Sequence, residues 1–117
     1  LMETTRKSSK ILISLQAYGF DESSLPDKLK LSIYRIVQEQ FNNILKHAGA
    51  GKVIVRLTQD NEKTLLLIKD DGAGFDTSQK SGGVGLMNIK TRASLFNGEL
   101  TITSSPGKGC ELRVLFN

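Results

Sequence analysis

Three short groups of residues carry side chains able to handle a charged, flat or phosphate-bearing ligand. Glu39, Asn43 and Lys46 lie four and three residues apart. On a helix turning about 100° per residue they fall within roughly 60° of arc. A carboxylate, a carboxamide and an ammonium supply a base, an oxygen ligand for a hard cation and a phosphate partner. The second group is Asp70-Asp71-Gly72-Ala73-Gly74-Phe75, directly after the apolar run Leu65-Leu66-Leu67-Ile68. A carboxylate at a strand end can accept from an exocyclic amine such as that of adenine, and glycines let a flat ligand approach the main chain. The third is Gly82-Gly83-Val84-Gly85-Leu86-Met87-Asn88-Ile89. Glycines leading into a helix N-terminus leave backbone N–H groups open to an anion. Each group also has a plainer reading: a solvated helix flank, a β-turn and a hinge loop.

The elements that must position these groups follow from periodicity. Ile11, Ile13, Leu15 and Ala17 alternate as on a half-buried strand. Pro26 suits a first helical position with Asp27 beside it. Leu29, Ile33, Ile36, Val37, Phe41 and Ile44 then keep helical spacing as far as Ala48, and Gly49 and Gly51 end the run. Val53 to Thr58 and Thr64 to Lys69 read as strands joined by the turn Gln59-Asp60-Asn61-Glu62. Asp76 to Gly83 is a polar loop, Leu86 to Phe96 a second helix stopped by Asn97-Gly98. Leu100 to Thr103 and Glu111 to Phe116 are closing strands around Ser-Ser-Pro-Gly-Lys-Gly. The expected fold is an α+β, two-layer sandwich: a mixed, mostly antiparallel sheet covered on one face by helices.

Composition bounds the function. The 117 residues make one domain, residues 1–117, with enough chain for a core. Sixteen basic against twelve acidic residues leave a net charge of +4, but the cations are scattered and there is no Trp. Stacking platforms for single strands are poorly supplied, so nucleic acid is not expected as a partner. One cysteine, Cys110, excludes an internal disulfide, and with a single histidine the chain lacks the ligands of a structural zinc site. No apolar run approaches a membrane span, so no membrane contact by this domain is expected. The third group is not a Walker loop, since no Gly-Lys-Ser/Thr follows, nor a Rossmann fingerprint.

The order of the groups adds to each. Glu-x-x-x-Asn on a helix, Asp-x-Gly-x-Gly after a strand and Gly-x-Gly-Leu opening a helix together resemble the GHKL ATPase superfamily of gyrase, heat-shock chaperone, histidine kinase and mismatch-repair ATPases. More narrowly, the chain resembles the ATP-binding catalytic (HATPase_c) domain of two-component sensor histidine kinases. Tyr34 to Ala48 looks like the N-box of the branch sharing the nitrate-sensor type of dimerisation domain. Asp70 to Phe75 is similar to the G1 box and Gly83 to Ile89 to the G2 box, and the Pro106-Gly107-Lys108-Gly109 turn fits as well. The resemblance covers about Leu25 to Phe116.

It implies a Bergerat-type sandwich holding Mg-ATP. Asp70 would bond the adenine amino group, with Gly72 and Gly74 letting the base lie close. Asn43 would coordinate magnesium, and Glu39 would be the base that polarises an attacking imidazole. Lys46 and His47 would sit near the phosphates, and Gly83, Gly85 and Leu86 would form the lid hinge and bind the phosphate tail. The implied activity is donation of the γ-phosphoryl group to a histidine on a separate dimerisation domain of the parent kinase, for onward transfer to a response-regulator aspartate. The expected setting is a cytoplasmic, monomeric domain excised from a homodimeric parent, with membrane anchoring of that parent left open, and unable to autophosphorylate alone. Cys110 departs from the pattern, standing where the family usually has a Thr that supports the adenine-binding Asp. The alternatives are an anti-sigma-type serine/threonine kinase on the same fold and a degenerate nucleotide-sensing module.

Overall fold

The computed structural model describes residues 12–18, 25–49, 51–60, 63–74 and 83–116. Among these are five strands, β1 (Leu12–Tyr18), β2 (Lys52–Asp60), β3 (Lys63–Asp70), β4 (Glu99–Ser104) and β5 (Cys110–Phe116). Two helices, α1 (Asp27–Asn43) and α2 (Gly83–Ser94), accompany them, and α1 continues into a wider π-helical segment, Ile44–Ala48. The strands form one sheet in the order β1-β2-β3-β5-β4. β1 runs parallel to β2, as a strand–helix–strand crossover requires, and every other pair is antiparallel. The mixed, mostly antiparallel α+β architecture is the expected one.

The core lies between the sheet and the two helices. Alternation on β3 and β5 sends Leu66, Ile68, Leu112 and Val114 inward, and they meet Ile36 of α1 and Ile89 of α2; each of the six is at most 1% exposed. Along α1 the buried positions are Leu29, Ser32, Ile33, Ile36 and Gln40, with Ile44 continuing the stripe. The apolar spacing therefore marks the buried face correctly. It passes over Gln40, a polar residue set into the stripe.

Three local expectations change. Pro26 is the N-cap rather than the first helical residue, with extended angles of φ −62° and ψ 146°. Its fixed φ serves either place, and only ψ separates them. β1 is less covered than its alternation implies. Ile13 packs against the core, but Leu15 is 45% exposed and Ala17 is exposed as well. β1 is an edge strand, and alternation does not tell a covered face from an edge that the helices do not reach. Ile11 lies outside the described residues. The second helix begins at Gly83, three residues ahead of the expected Leu86, so the glycines occupy its first turn. It ends at Ser94, two residues before the expected Phe96, and the expected Asn-Gly stop follows: Asn97 takes φ 56°, and Gly98 N–H donates to Ala93 C=O at 2.8 Å.

Candidate functional site

Asp70 is the last residue of β3, 4% exposed on the helix-covered face. Its Oδ1 accepts from the Gly72 N–H at 2.8 Å, the local turn expected of Asp followed two residues on by Gly. Oδ2 accepts nothing from the described residues. Burial pushes the Asp70 carboxyl above the ordinary carboxylate range, the Gly72 bond opposes this, and the neighbouring Asp71 charge adds to it. A buried acceptor with one oxygen open suits an amino-group donor from a ligand.

Asp71, one residue on, does a different job. Its Oδ1 accepts from Gly51 N–H at 2.8 Å and Lys52 N–H at 2.9 Å, and its own N–H donates to Lys52 C=O at 3.3 Å. These bonds tie the start of β2 to the end of β3, and the two accepted from the backbone hold the Asp71 carboxyl below its usual range. Position 71 was read only as part of the turn. Its clamp joins residues twenty apart, which no local pattern displays.

The loop after Asp70 is braced by the β4–β5 turn. Gly107 N–H donates to Ala73 C=O at 2.5 Å, and Ser104 Oγ donates to Gly109 C=O at 2.7 Å. Gly74 takes φ +69°, and a Cβ there would run into the Ser105 carbonyl oxygen and come within 2.8 Å of that of Gly109. Gly109, at φ +74°, is pressed in the same way against the Asp70 carbonyl. Both glycines are needed for the backbone contact between loop and turn. Room for a flat ligand at Gly74 was expected, and what the packing displays there is this brace.

Cys110 faces Asp70 across the β3–β5 ladder and is buried. Burial, and next the Asp70 charge, push its thiol up to about 11, against which hydrogen bonds from the Ser104 and Gln40 side chains act weakly. It is a neutral thiol at ordinary pH. Gln40, itself 4% exposed, accepts through Oε1 from Asn43 Nδ2 at 3.2 Å. Cys110, the register partner of Asp70, thus lies toward Gln40, and Gln40 toward Asn43, which brings two of the sequence groups to one end of the sandwich. With its amide nitrogen committed to Gln40, Asn43 keeps Oδ1 without a donor among the described residues, a neutral oxygen fit for a hard cation.

Glu39 and Asn43 are half-buried on α1, and Lys46 is exposed. Lys46 lies in the π segment, where the angular step is smaller, so the arc reckoned for a regular helix does not extend to it. His47 shares that segment, and its side chain lies outside the described residues. Gly72 donates its N–H to Asp70. Gly83, Gly85 and Leu86 form the first turn of α2, their side-chain surroundings outside the described residues. The sequence reading passed over Gln40 and named Asp71 and Gly109 only as members of their turns, without the contacts they make. Only Gln40 left a signal, a polar residue inside an apolar stripe.

A five-stranded mixed sheet under two helices, with a buried Asp at the end of an inner strand, defines an α+β two-layer sandwich. A family model described as histidine kinase-, DNA gyrase B-, and HSP90-like ATPase matches residues 28–117, and the chain belongs to that family. Among curated proteins it is similar to the sensor histidine kinase MctS of Rhizobium johnstonii, 41% identical over 95 residues, covering 78% of this chain and 20% of the relative. It is also similar to two signal transduction histidine-protein kinase/phosphatases. UhpB of Salmonella typhimurium is 33% identical over 92% of this chain and 21% of its own length. DegS of Bacillus subtilis is 32% identical over 93% of this chain and 30% of its own. The chain therefore spans less than a third of these relatives. Among solved structures, a blue-light activated histidine kinase of Erythrobacter litoralis superposes with a TM-score of 0.72 at 23% identity, over 91% of this chain and 35% of that one. The histidine kinase AdeS of Acinetobacter baumannii superposes equally well at 17% identity, over 92% and 54%. The Bergerat-type fold is the one these structures share.

Proposed function

We propose that this domain binds Mg-ATP and presents the γ-phosphoryl group to a histidine on the dimerisation domain of a sensor histidine kinase, from which it passes to a response-regulator aspartate. The observation that carries the reading is the buried Asp70 at the end of β3, one carboxylate oxygen held by Gly72 N–H and the other open, with Asn43 on the helix-covered face keeping Oδ1 open among the described residues. Asp70 Oδ2 accepts from the adenine amino group, while Gly72 N–H holds the other oxygen and so fixes the carboxylate plane. Gly74 keeps that loop seated on the β4–β5 turn. Asn43 offers Oδ1 to the magnesium ion, which when bound neutralises phosphate charge. Lys46 and His47 border the phosphates, and the α2 N-terminus with Gly83, Gly85 and Leu86 receives their far end through open backbone N–H groups. Glu39 takes up or orients the proton of the incoming imidazole. Catalysis is then mostly placement and charge neutralisation.

The chain's single histidine, His47, sits on the nucleotide side in this reading and is not the phosphoacceptor. The relatives being sensor histidine kinases favours this reading over a serine/threonine kinase on the same fold. The test is to mix the chain with ATP labelled in the γ-phosphate, magnesium and a dimerisation domain from a related kinase. Acid-labile, base-stable label on the added domain supports the reading, and loss of that label in Glu39→Gln assigns the base. Acid-stable label on a serine or threonine of an added partner would overturn it.

A further inference from the structure

Gln40 is a buried amide in a helix stripe whose other buried members are apolar apart from Ser32, and it is assigned neither base, cation-ligand nor adenine-acceptor duty. A buried carboxamide is costly unless satisfied, and both of its ends are engaged. Oε1 accepts from Asn43 Nδ2 at 3.2 Å, and the amide donates toward the Cys110 thiol, the register partner of Asp70. The bond to Asn43 decides which end of that carboxamide is free. With Nδ2 held, rotation that would present an N–H in place of Oδ1 breaks a part-buried hydrogen bond. A cation accepts only the oxygen end.

We infer that Gln40 is a positioning residue that sets the carboxamide of Asn43 oxygen-outward for magnesium. The inference rests on the proposed Mg-ATP reading and adds a residue to it. Gln40 does not touch the ligand. It acts through Asn43, so its removal weakens the magnesium-dependent part of nucleotide affinity and leaves the adenine part largely in place.

The test uses Gln40→Met, which keeps chain length and apolar packing while removing both hydrogen bonds, and Gln40→Ala as a second variant. ATP is titrated calorimetrically with and without magnesium into the wild type, Gln40→Met, Asn43→Ala and the double variant, after thermal melting has established that each is folded. Wild-type binding without any gain from magnesium would count against the parent reading. Given a gain in the wild type, Gln40→Met is expected to reduce it about tenfold, with magnesium-free binding changed less than twofold. The double variant should match Asn43→Ala, the non-additivity of a shared pathway. In the ligand-free protein, the Asn43 side-chain amide resonances, assigned by their loss in Asn43→Ala, should move in both Gln40 variants. An undiminished magnesium gain in Gln40→Met, or an equal loss with and without magnesium, overturns the inference.

Discussion

At the scale of single residues, Asp70 carries opposite consequences for binding and for stability. Asp70 is held above the ordinary carboxylate range mainly by burial, so the native chain binds its proton more readily than the unfolded chain does. Its contribution to stability therefore falls as pH rises from the unfolded carboxylate pKa through the raised native one. Asp70→Asn should raise the melting temperature of the ligand-free domain near neutral pH, while weakening ATP by about 10–100-fold through loss of a charged acceptor. Paired thermal melts and calorimetry check both halves. Cys110 behaves alike at alkaline pH. With the thiol raised from 9.0 to about 11, unfolded chains ionise first, and stability should drop between those values. Urea titrations across that window should show a smaller drop in Cys110→Ala than in the wild type. Asp70 was legible from the sequence because type, spacing and a preceding strand coincide. Gln40 and the partners of Cys110 were not, because they meet only when β5 is laid beside β3 under α1.

At the scale of elements, the site depends on how strand ends are fastened. The Asp71 clamp onto Gly51 and Lys52 and the brace of the Gly74 loop on the β4–β5 turn hold Asp70 from two sides. Gly74→Ala places a Cβ against backbone oxygens at φ +69°, and should cost about 2–4 kcal/mol from left-handed strain and overpacking. Chemical denaturation measures it. Asp71→Ala should cost about 1 kcal/mol for two exposed hydrogen bonds. Since the Asp71 carboxyl is held below its usual range, its contribution is present above the unfolded pKa and fades on acidification, so the two proteins should converge in stability at low pH. Strand and helix identities were legible in hydrophobic periods. Three details escaped: the π segment after Asn43, the exposed edge of β1 and the early start of α2 at Gly83. Each is set by tertiary neighbours or by glycine, whose local preference is weak.

At the scale of the whole molecule, residues 39, 43, 70 and 110 come from three elements far apart in sequence, and the sheet order β1-β2-β3-β5-β4 is what assembles them. β3 and β5 are inner strands, so Asp70 stands on well-buried strands, while α1 carries Asn43 across the sheet face; in the proposed function these are the adenine end and the cation ligand. What the motif order made legible is the succession of helix, strand end and second helix; the division into an adenine end and a phosphate end belongs to the proposed function. The direct test is calorimetric titration of the 117-residue chain with ATP, with and without magnesium, beside Asp70→Asn. Magnesium-enhanced binding in the wild type and its loss in Asp70→Asn is the expected result. Equal binding by wild type and Asp70→Asn, or no ATP binding by a folded wild-type chain over a range of temperatures, would contradict the account.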